Sequence, residues 1–157
     1  MAQEAGGIVA CPTCGAKNRV PPAAVGLPRC ARCHTPLEWV VDAVDATFAE
    51  VVDRAQLPVL VDLWAPWCGP CRMVSPVLER LATTRAGRVK LVRVNVEEAP
   101  QVAGRFQARA IPTLLVMARG QVLSRRAGAA PEAELGAWLD DALQRASGHE
   151  ADGRHSR

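Results

Sequence analysis

The spacing of apolar positions changes period several times along the chain, and each change predicts an element. Val59-Leu60-Val61-Asp62-Leu63-Trp64 is apolar at consecutive positions except Asp62, the pattern of a central strand covered by helices on both faces. Beyond it, Val74, Val77, Leu78, Leu81 and Ala82 recur at helical spacing, with Pro76 inside that face and predicted to kink a helix that closes before Gly87. Residues 90–96 form a second strand, and Pro100 opens a short helix running to about Phe106. Residues 113–117 and 122–126 flank Arg119-Gly120 as an antiparallel hairpin. Pro131 begins a last helix with Glu132 and Glu134 in its first turn and Leu135, Trp138, Leu139, Ala142 and Leu143 on its buried face. Ahead of the central strand, Phe48, Val51, Val52 and Ala55 trace a first helix that ends before Pro58, with Thr47 and Glu50 spaced as a capping box. This order predicts an α/β class chain with a central mixed sheet flanked by helices.

The region before Thr47 follows different rules. Cys11-Pro12-Thr13-Cys14 and Cys30-Ala31-Arg32-Cys33 are separated by residues 15–29, a spacing expected of a four-cysteine zinc site. The intervening Pro21, Pro22, Gly26 and Pro28 are loop chemistry, with no room for a separate core. Metal binding supplies ~10 kcal/mol of folding free energy in such small units, enough to order a short loop. Two labile disulfides are the alternative. His34 could act as a ligand, but beside a complete set of four thiolates it reads as a bystander. The run Leu37-Glu38-Trp39-Val40-Val41 reads as the last strand of this unit, and the tail after Ala146 is small, polar and charged. The expected divisions are residues 1–41 for the zinc unit, 42–146 for the main domain and 147–157 for a flexible tail.

Composition narrows the function classes. The chain has 157 residues, 49% hydrophobic and 22% charged, so it has room for one ordinary domain and a small appendage. Its net charge of +3 is spread without a basic block, which gives no argument for nucleic-acid or acidic-membrane binding. The first ten residues carry Glu4 and no basic start, and their apolar stretch is too short for a secretory core or a membrane span, so the expected compartment is the cytoplasm. All six cysteines fall in C-x-x-C pairs, which in a reducing compartment are metal or redox sites.

The third pair, Trp67-Cys68-Gly69-Pro70-Cys71, lies between the central strand and the helix that follows. A helix start is electropositive because its first N–H groups are unpaired, so a cysteine there has its thiolate stabilised. Cys68 holds that position and is expected to be exposed, whereas Cys71 lies one turn inside. Pro70 fits the first turn, and Gly69 lets the backbone turn tightly enough for the sulfurs to bond. The stretch reads as a reversible dithiol/disulfide centre. Asp62 is the anomaly of the central strand. Buried without a partner it would bind a proton more tightly and serve as proton acceptor and donor; an aspartate on an edge strand, or one capping the next turn, fits the strand pattern as well.

The stretch Val61-Asp62-Leu63-Trp64-Ala65-Pro66-Trp67-Cys68-Gly69-Pro70-Cys71 resembles the active-site strand and turn of thioredoxin. Ile111-Pro112-Thr113-Leu114 resembles that family's cis-proline loop, and Gly120 and Gly128 fall where its hairpin and substrate-groove glycines stand. The resemblance covers about residues 44–145, and the two N-terminal knuckles are similar to those of the zinc-containing bacterial class. It implies the thioredoxin fold with a small four-cysteine zinc unit at Cys11, Cys14, Cys30 and Cys33, one zinc per chain and no organic cofactor. It implies catalysis by Cys68 and Cys71 with Asp62 as the buried acid, a cis bond before Pro112, and a client groove built from Trp67, Gly69, Pro70, Ile111, Pro112 and Gly128. The implied activity is reduction of disulfides in client proteins by a cytoplasmic monomer recycled by an NADPH-dependent thioredoxin reductase. Arg93 departs from the family, which usually carries lysine there; it keeps the positive charge but cannot give up its proton. A redox-controlled zinc chaperone or binding module, and a disulfide isomerase or oxidase, are the other classes. The Gly-Pro pair between the cysteines is of the reductase type, since isomerases and strong oxidants usually carry histidine in that turn.

Overall fold

The computed structural model describes residues 7–23 and 27–155, with side chains to residue 148. The elements are β1 (Gly7–Ala10), β2 (Lys17–Val20), β3 (Val40–Asp42), a π-helical turn (Ala49–Asp53), β4 (Val59–Trp64), α1 (Gly69–Thr84), β5 (Lys90–Asn95), α2 (Pro100–Arg105), β6 (Thr113–Ala118), β7 (Gln121–Ala127) and α3 (Glu132–His155). Strands β1 and β2 form a small antiparallel hairpin, and the other five form a sheet in the order β3-β5-β4-β6-β7. Within it β3, β5 and β4 run parallel, while β6 and β7 are antiparallel to their neighbours.

The consecutive apolar run in β4 is explained by its position. Leu60 faces an apolar layer with Val74, Leu78 and Leu81 of α1 and Leu135, Leu139 and Ala142 of α3. Val59, Val61 and Leu63 face a second layer with Phe48, Val51 and Val52, Val102 of α2, and Phe106. Each buried Leu or Val side chain contributes ~2 kcal/mol of transfer free energy, so a strand buried on both faces anchors the fold. At the hairpin between β6 and β7, Arg119 and Gly120 both have positive φ, the geometry that matches the twist of paired strands.

Several expectations change. The run 37–41 is not a strand of the N-terminal unit: Val40–Asp42 pairs with Leu91, Val92 and Arg93 of β5 and is the edge strand of the main sheet. An apolar edge strand is satisfied only by a sheet long enough to continue it, and β5 offers one. Nor is the segment between the first two cysteine pairs all loop, since β2 lies within it, and Cys11, Val20, Cys30, Leu37 and Trp39 are buried in the same core as Phe48 and Val92. Thr47 makes no capping box. Its hydroxyl accepts from the Val44 N–H at 3.0 Å, one turn back, and the first helix is a short π-turn closed by the Arg54 N–H donating to the Ala49 carbonyl at 3.0 Å. Helix α1 passes through Pro76 unbroken, and Pro76 is exposed rather than part of the apolar face, because it lies two positions from both Val74 and Leu78. Helix α3 continues past Ala146 to His155, since no proline follows and each further residue adds a backbone hydrogen bond. Among the described residues no helix is long and apolar enough to cross a membrane.

One long-range cap holds the second layer in place. Both carboxylate oxygens of Asp45 accept from the start of α2, from Gln101 N–H at 3.1 Å and Val102 N–H at 2.9 Å. A helix of this length has few bonds of its own and depends on the cap. Asp45→Ala is expected to lower stability by about 1 kcal/mol in urea-induced unfolding, with Asp45→Asn losing less.

Candidate active site and metal centre

The chain leaves β4 at Trp64 and turns, with the Cys68 N–H donating to the Ala65 carbonyl at 3.1 Å. Cys68 is the N-cap of α1, and its sulfur accepts from the Cys71 N–H at 3.2 Å. The two cysteines are joined as a disulfide, their Cα atoms 5.3 Å apart. Cys68 is only 3% exposed and Cys71 4%, so exposure does not distinguish them as the sequence suggested. Ala65, Trp64, Val96 and Ile111 pack around both. What distinguishes Cys68 is the helix-start N–H aimed at its sulfur, which stabilises charge there. Gly69 does not need its glycine for backbone reasons, because its φ is not positive; a side chain there would meet nothing within 4 Å, so the surface beside the disulfide is open.

Opposite the disulfide, the Ile111-Pro112 peptide is cis, and the Ile111 carbonyl oxygen lies 3.5 Å from the Cys68 sulfur. Gly128, with φ +84°, donates its N–H to the Pro112 carbonyl at 2.9 Å, and the space above it is empty. Trp67 is 66% exposed, and its indole N–H donates to Glu97 at 2.9 Å. Cys68, Ile111, Pro112 and Gly128 are thus linked by contacts on one side of the disulfide, with Trp67 next to Cys68 in the chain. Glu97 had no motif to betray it, since nothing in the sequence shows that the loop after β5 passes beside Trp67.

Asp62 is 1% exposed, and neither carboxylate oxygen has a hydrogen-bond partner among the described residues. Parallel pairing of β4 with β5 sets it opposite Arg93, whose Nε is 3.7 Å from Oδ2, an ion pair too long for a hydrogen bond. Burial pushes the Asp62 carboxyl up to about 6, against the opposing pull of the Arg93 charge. The Arg93 guanidinium lies over the Trp64 ring at 5.1 Å, which holds it flat beside the sheet. Trp64, Cys71, Arg72, Ser75, Glu79 and Arg93 line a crevice of about 280 Å³, so the cation of this pair and the inner cysteine border the same space. The roles of Trp64 and of the crevice were not legible in the sequence, because they arise from neighbours on different strands.

At the other site, the knuckles repeat one another. Cys11 N–H donates to Ala16 and Gly15 N–H to Cys11; Cys30 N–H donates to Thr35 and His34 N–H to Cys30. His34 therefore takes the left-handed position that Gly15 takes in the first knuckle, φ 66° against 76°, and it is exposed and outside the ligand cluster. Its expected part as a bystander is consistent with this. The four sulfurs lie within 4.8 Å of one another, with Cys11 and Cys33 at 3.5 Å and Cys14 and Cys30 at 3.6 Å. Four thiolates at ~2.3 Å from a tetrahedral ion would be ~3.8 Å apart, so the donor set fits a metal such as zinc. Backbone N–H groups of Cys33 and Arg32 draw the Cys30 thiol down to about 6, whereas Cys14, against the pull of the Ala16 backbone, is pushed up to about 11 by burial and the neighbouring thiols, so negative charge in the cluster settles first on Cys30.

A family model described as Thioredoxin matches residues 39–141. Thioredoxin C-3 of Corynebacterium nephridii is 38% identical over 146 residues, covering 90% of this chain and 99% of the relative. Thioredoxin of Haemophilus influenzae is 45% identical over 96 residues, 61% of this chain and 90% of the relative, and Thioredoxin 1 of Synechococcus elongatus is 48% identical over 99 residues, 63% and 92%.

The sign of the Asp62 effect is fixed by its raised affinity for protons. The folded state binds more protons than the unfolded state between about pH 4 and 6, so stability falls as pH rises through about 6 and the ionised group costs up to about 3 kcal/mol above it. Asp62→Asn is therefore expected to raise the melting temperature at pH 7.5 and to leave it nearly unchanged at pH 4. Thermal scans at both values check this, and equal shifts at both would remove the buried ionisation as the cause.

Proposed function

Because this chain belongs to the thioredoxin family and carries its Cys68–Cys71 disulfide at the N-cap of a helix, we propose that it is a protein-disulfide reductase of the zinc-containing class. That it is a thiol-disulfide oxidoreductase follows from the family and from the pair of sulfurs. The reductase direction, the clients and the recycling partner are the proposal.

In the reduced protein the Cys68 thiolate attacks one sulfur of a client disulfide, forming a mixed disulfide and releasing the client's other sulfur as a thiolate that takes a proton. Cys71 then gives up its proton and attacks the Cys68 sulfur, so the client leaves with both cysteines reduced and the Cys68–Cys71 bond forms. Two electrons pass to the client and return from NADPH through a thioredoxin reductase. Asp62 receives the Cys71 proton through water; a carboxyl poised near neutrality can accept and return it, and Cys71 shares a crevice with Arg93, the ion-pair partner of Asp62. The groove formed by Trp67, Gly69, Pro70, Ile111, Pro112 and Gly128 receives an extended client segment. The open space at Gly69 and Gly128 supports that use. The observation that carries the reading is the disulfide at the helix start with a buried acid, free of hydrogen bonds, on the strand that leads into it. Absence of histidine between the cysteines favours reduction over isomerisation or oxidation.

Cys11, Cys14, Cys30 and Cys33 hold one zinc, which supplies cross-linking of the two knuckles and no chemistry at the disulfide. A zinc unit that ends before Val40, a redox domain that begins with β3, a monomeric state and a cytoplasmic location complete the proposal.

Wild type is expected to reduce insulin with NADPH and a thioredoxin reductase, Cys68→Ser to lose at least 10³-fold in rate, and Cys71→Ser to accumulate mixed disulfides on a non-reducing gel. No NADPH-coupled turnover by the wild type would sink the reductase reading. Metal analysis of protein purified under reducing conditions is expected to give one zinc per chain, falling well below one in Cys30→Ser.

A further inference from the structure

Among the described residues, the most deeply buried cation takes no part in the redox chemistry. Lys90, the first residue of β5, is 1% exposed. Its ammonium donates to the carbonyl of Val51, at 2.7 Å in the π-turn of the redox body, and to the carbonyl of Pro22 in the N-terminal unit. It also sits 4.2 Å from the centre of the Trp39 ring, and the Trp39 indole N–H donates to Pro21 at 2.8 Å. One ammonium thus joins two parts of the chain, at carbonyls that water would otherwise satisfy. Glu50 on the π-turn is the acidic group whose charge bears on it.

Pro21 and Pro22 lie in the segment that the two cysteine pairs bracket, so whatever clamps the knuckles together also fixes those carbonyls. Cys11 and Cys30 themselves are buried in the core that contains Trp39, Phe48 and Val51. Further contacts run the same way: Leu91 N–H donates to the Trp39 carbonyl at 2.8 Å, Thr83 at the end of α1 donates to Glu38, and Gly87 passes so close to Pro36 that a Cβ would lie 3.1 Å from it. All are at the end of the sheet where β4 and β5 begin, about 20 Å from the end that delivers Cys68, at ~3.3 Å per residue of β4.

We propose that Lys90 is a buried staple that makes the four-cysteine unit and the redox body one cooperative folding unit, so that the metal state of the cysteines sets the stability of the body without contact with its disulfide. This rests on the zinc reading above. Undocking the unit would strip the ammonium of the Pro22 carbonyl and the Trp39 ring and leave water to replace them, so those two contacts are lost on separation. Metal that orders the segment carrying Pro21 and Pro22 therefore also orders β3 and β5, and its loss loosens both.

The test uses the full-length, reduced, zinc-loaded protein. Bound zinc is measured first, and thermal unfolding is then followed by circular dichroism with and without a chelator strong enough to strip it. Wild type is expected to unfold in one transition whose midpoint falls by roughly 5 °C or more on stripping, and its Leu91 amide is expected to exchange faster. In Lys90→Met, which keeps the packing on Trp39 and removes the ammonium, the shift on stripping is expected to fall to half or less. Comparing shifts separates coupling from any gain that Met brings by ending the burial of a charge. Should Lys90→Met fail to fold, Trp39→Phe, which loses only the bond to Pro21 and some ring area, is expected to reduce the shift likewise. A wild-type midpoint unmoved by stripping, or a full shift in both variants, overturns the staple while leaving the zinc reading intact. Absence of bound zinc at the first step overturns both.

Discussion

Burial of β4 on both faces is the constraint on which the other features depend. Because α1 and α3 cover one side and the π-turn, α2 and Phe106 cover the other, the strand is apolar on both faces except at Asp62, and a slip by one residue would carry that carboxylate to the other face, away from Arg93. That register puts Asp62 beneath α1 and opposite Arg93, and it releases the chain at Trp64 so that Cys68 meets the first turn of α1. The acid, the cation and the two sulfurs are ordered by one strand and its neighbours. Their chemistry follows from desolvation on one side and an N–H dipole on the other.

The pair of Asp62 and Arg93 shows how a buried charge can be retained without being neutralised. At 3.7 Å, the arginine lowers the cost of ionisation only in part, so the carboxyl stays poised between its two forms near neutral pH. A shorter, hydrogen-bonded pair would stabilise the ionised form further and make Asp62 a weaker base. Trp64 contributes by occupying the other face of the guanidinium, and both side chains border the crevice. Arg93 cannot itself release a proton, so any buffering at this site belongs to Asp62 alone.

The N-terminal unit is the part of the protein where reading by motif and reading by packing diverge. Its eight-residue signature of two C-x-x-C pairs is local chemistry, and the structure arranges the sulfurs within 4.8 Å as that chemistry requires. Its attachment is non-local. Trp39 and Lys90 are far apart in sequence, and neither belongs to a recognisable pattern: one looked like part of a metal-unit strand, the other like the polar start of a strand. Only the parallel pairing of β3 with β5 places them together. The strand assigned to the metal unit turned out to be the edge of the main sheet for the same reason, since hydrogen-bond partners of an isolated apolar run cannot be read from the run itself.

What the amino-acid order determined by itself was whatever depends on neighbours within a turn or two of chain: the double-sided apolar run of β4, the helix start at Cys68, the Arg119-Gly120 hairpin, the knuckle pairs, and through them the thioredoxin fold. These rest on period, capping and spacing, which are local quantities. What only the tertiary structure decided was every property set by distance across the sheet: that Cys68 is covered as fully as Cys71, that Asp62 has lost water without gaining a hydrogen bond, that Glu97 holds Trp67, and that the metal unit sits at the end of the sheet away from the disulfide. Burial and electrostatic environment are sums over residues brought together by pairing and packing, so they exist only once the sheet has formed.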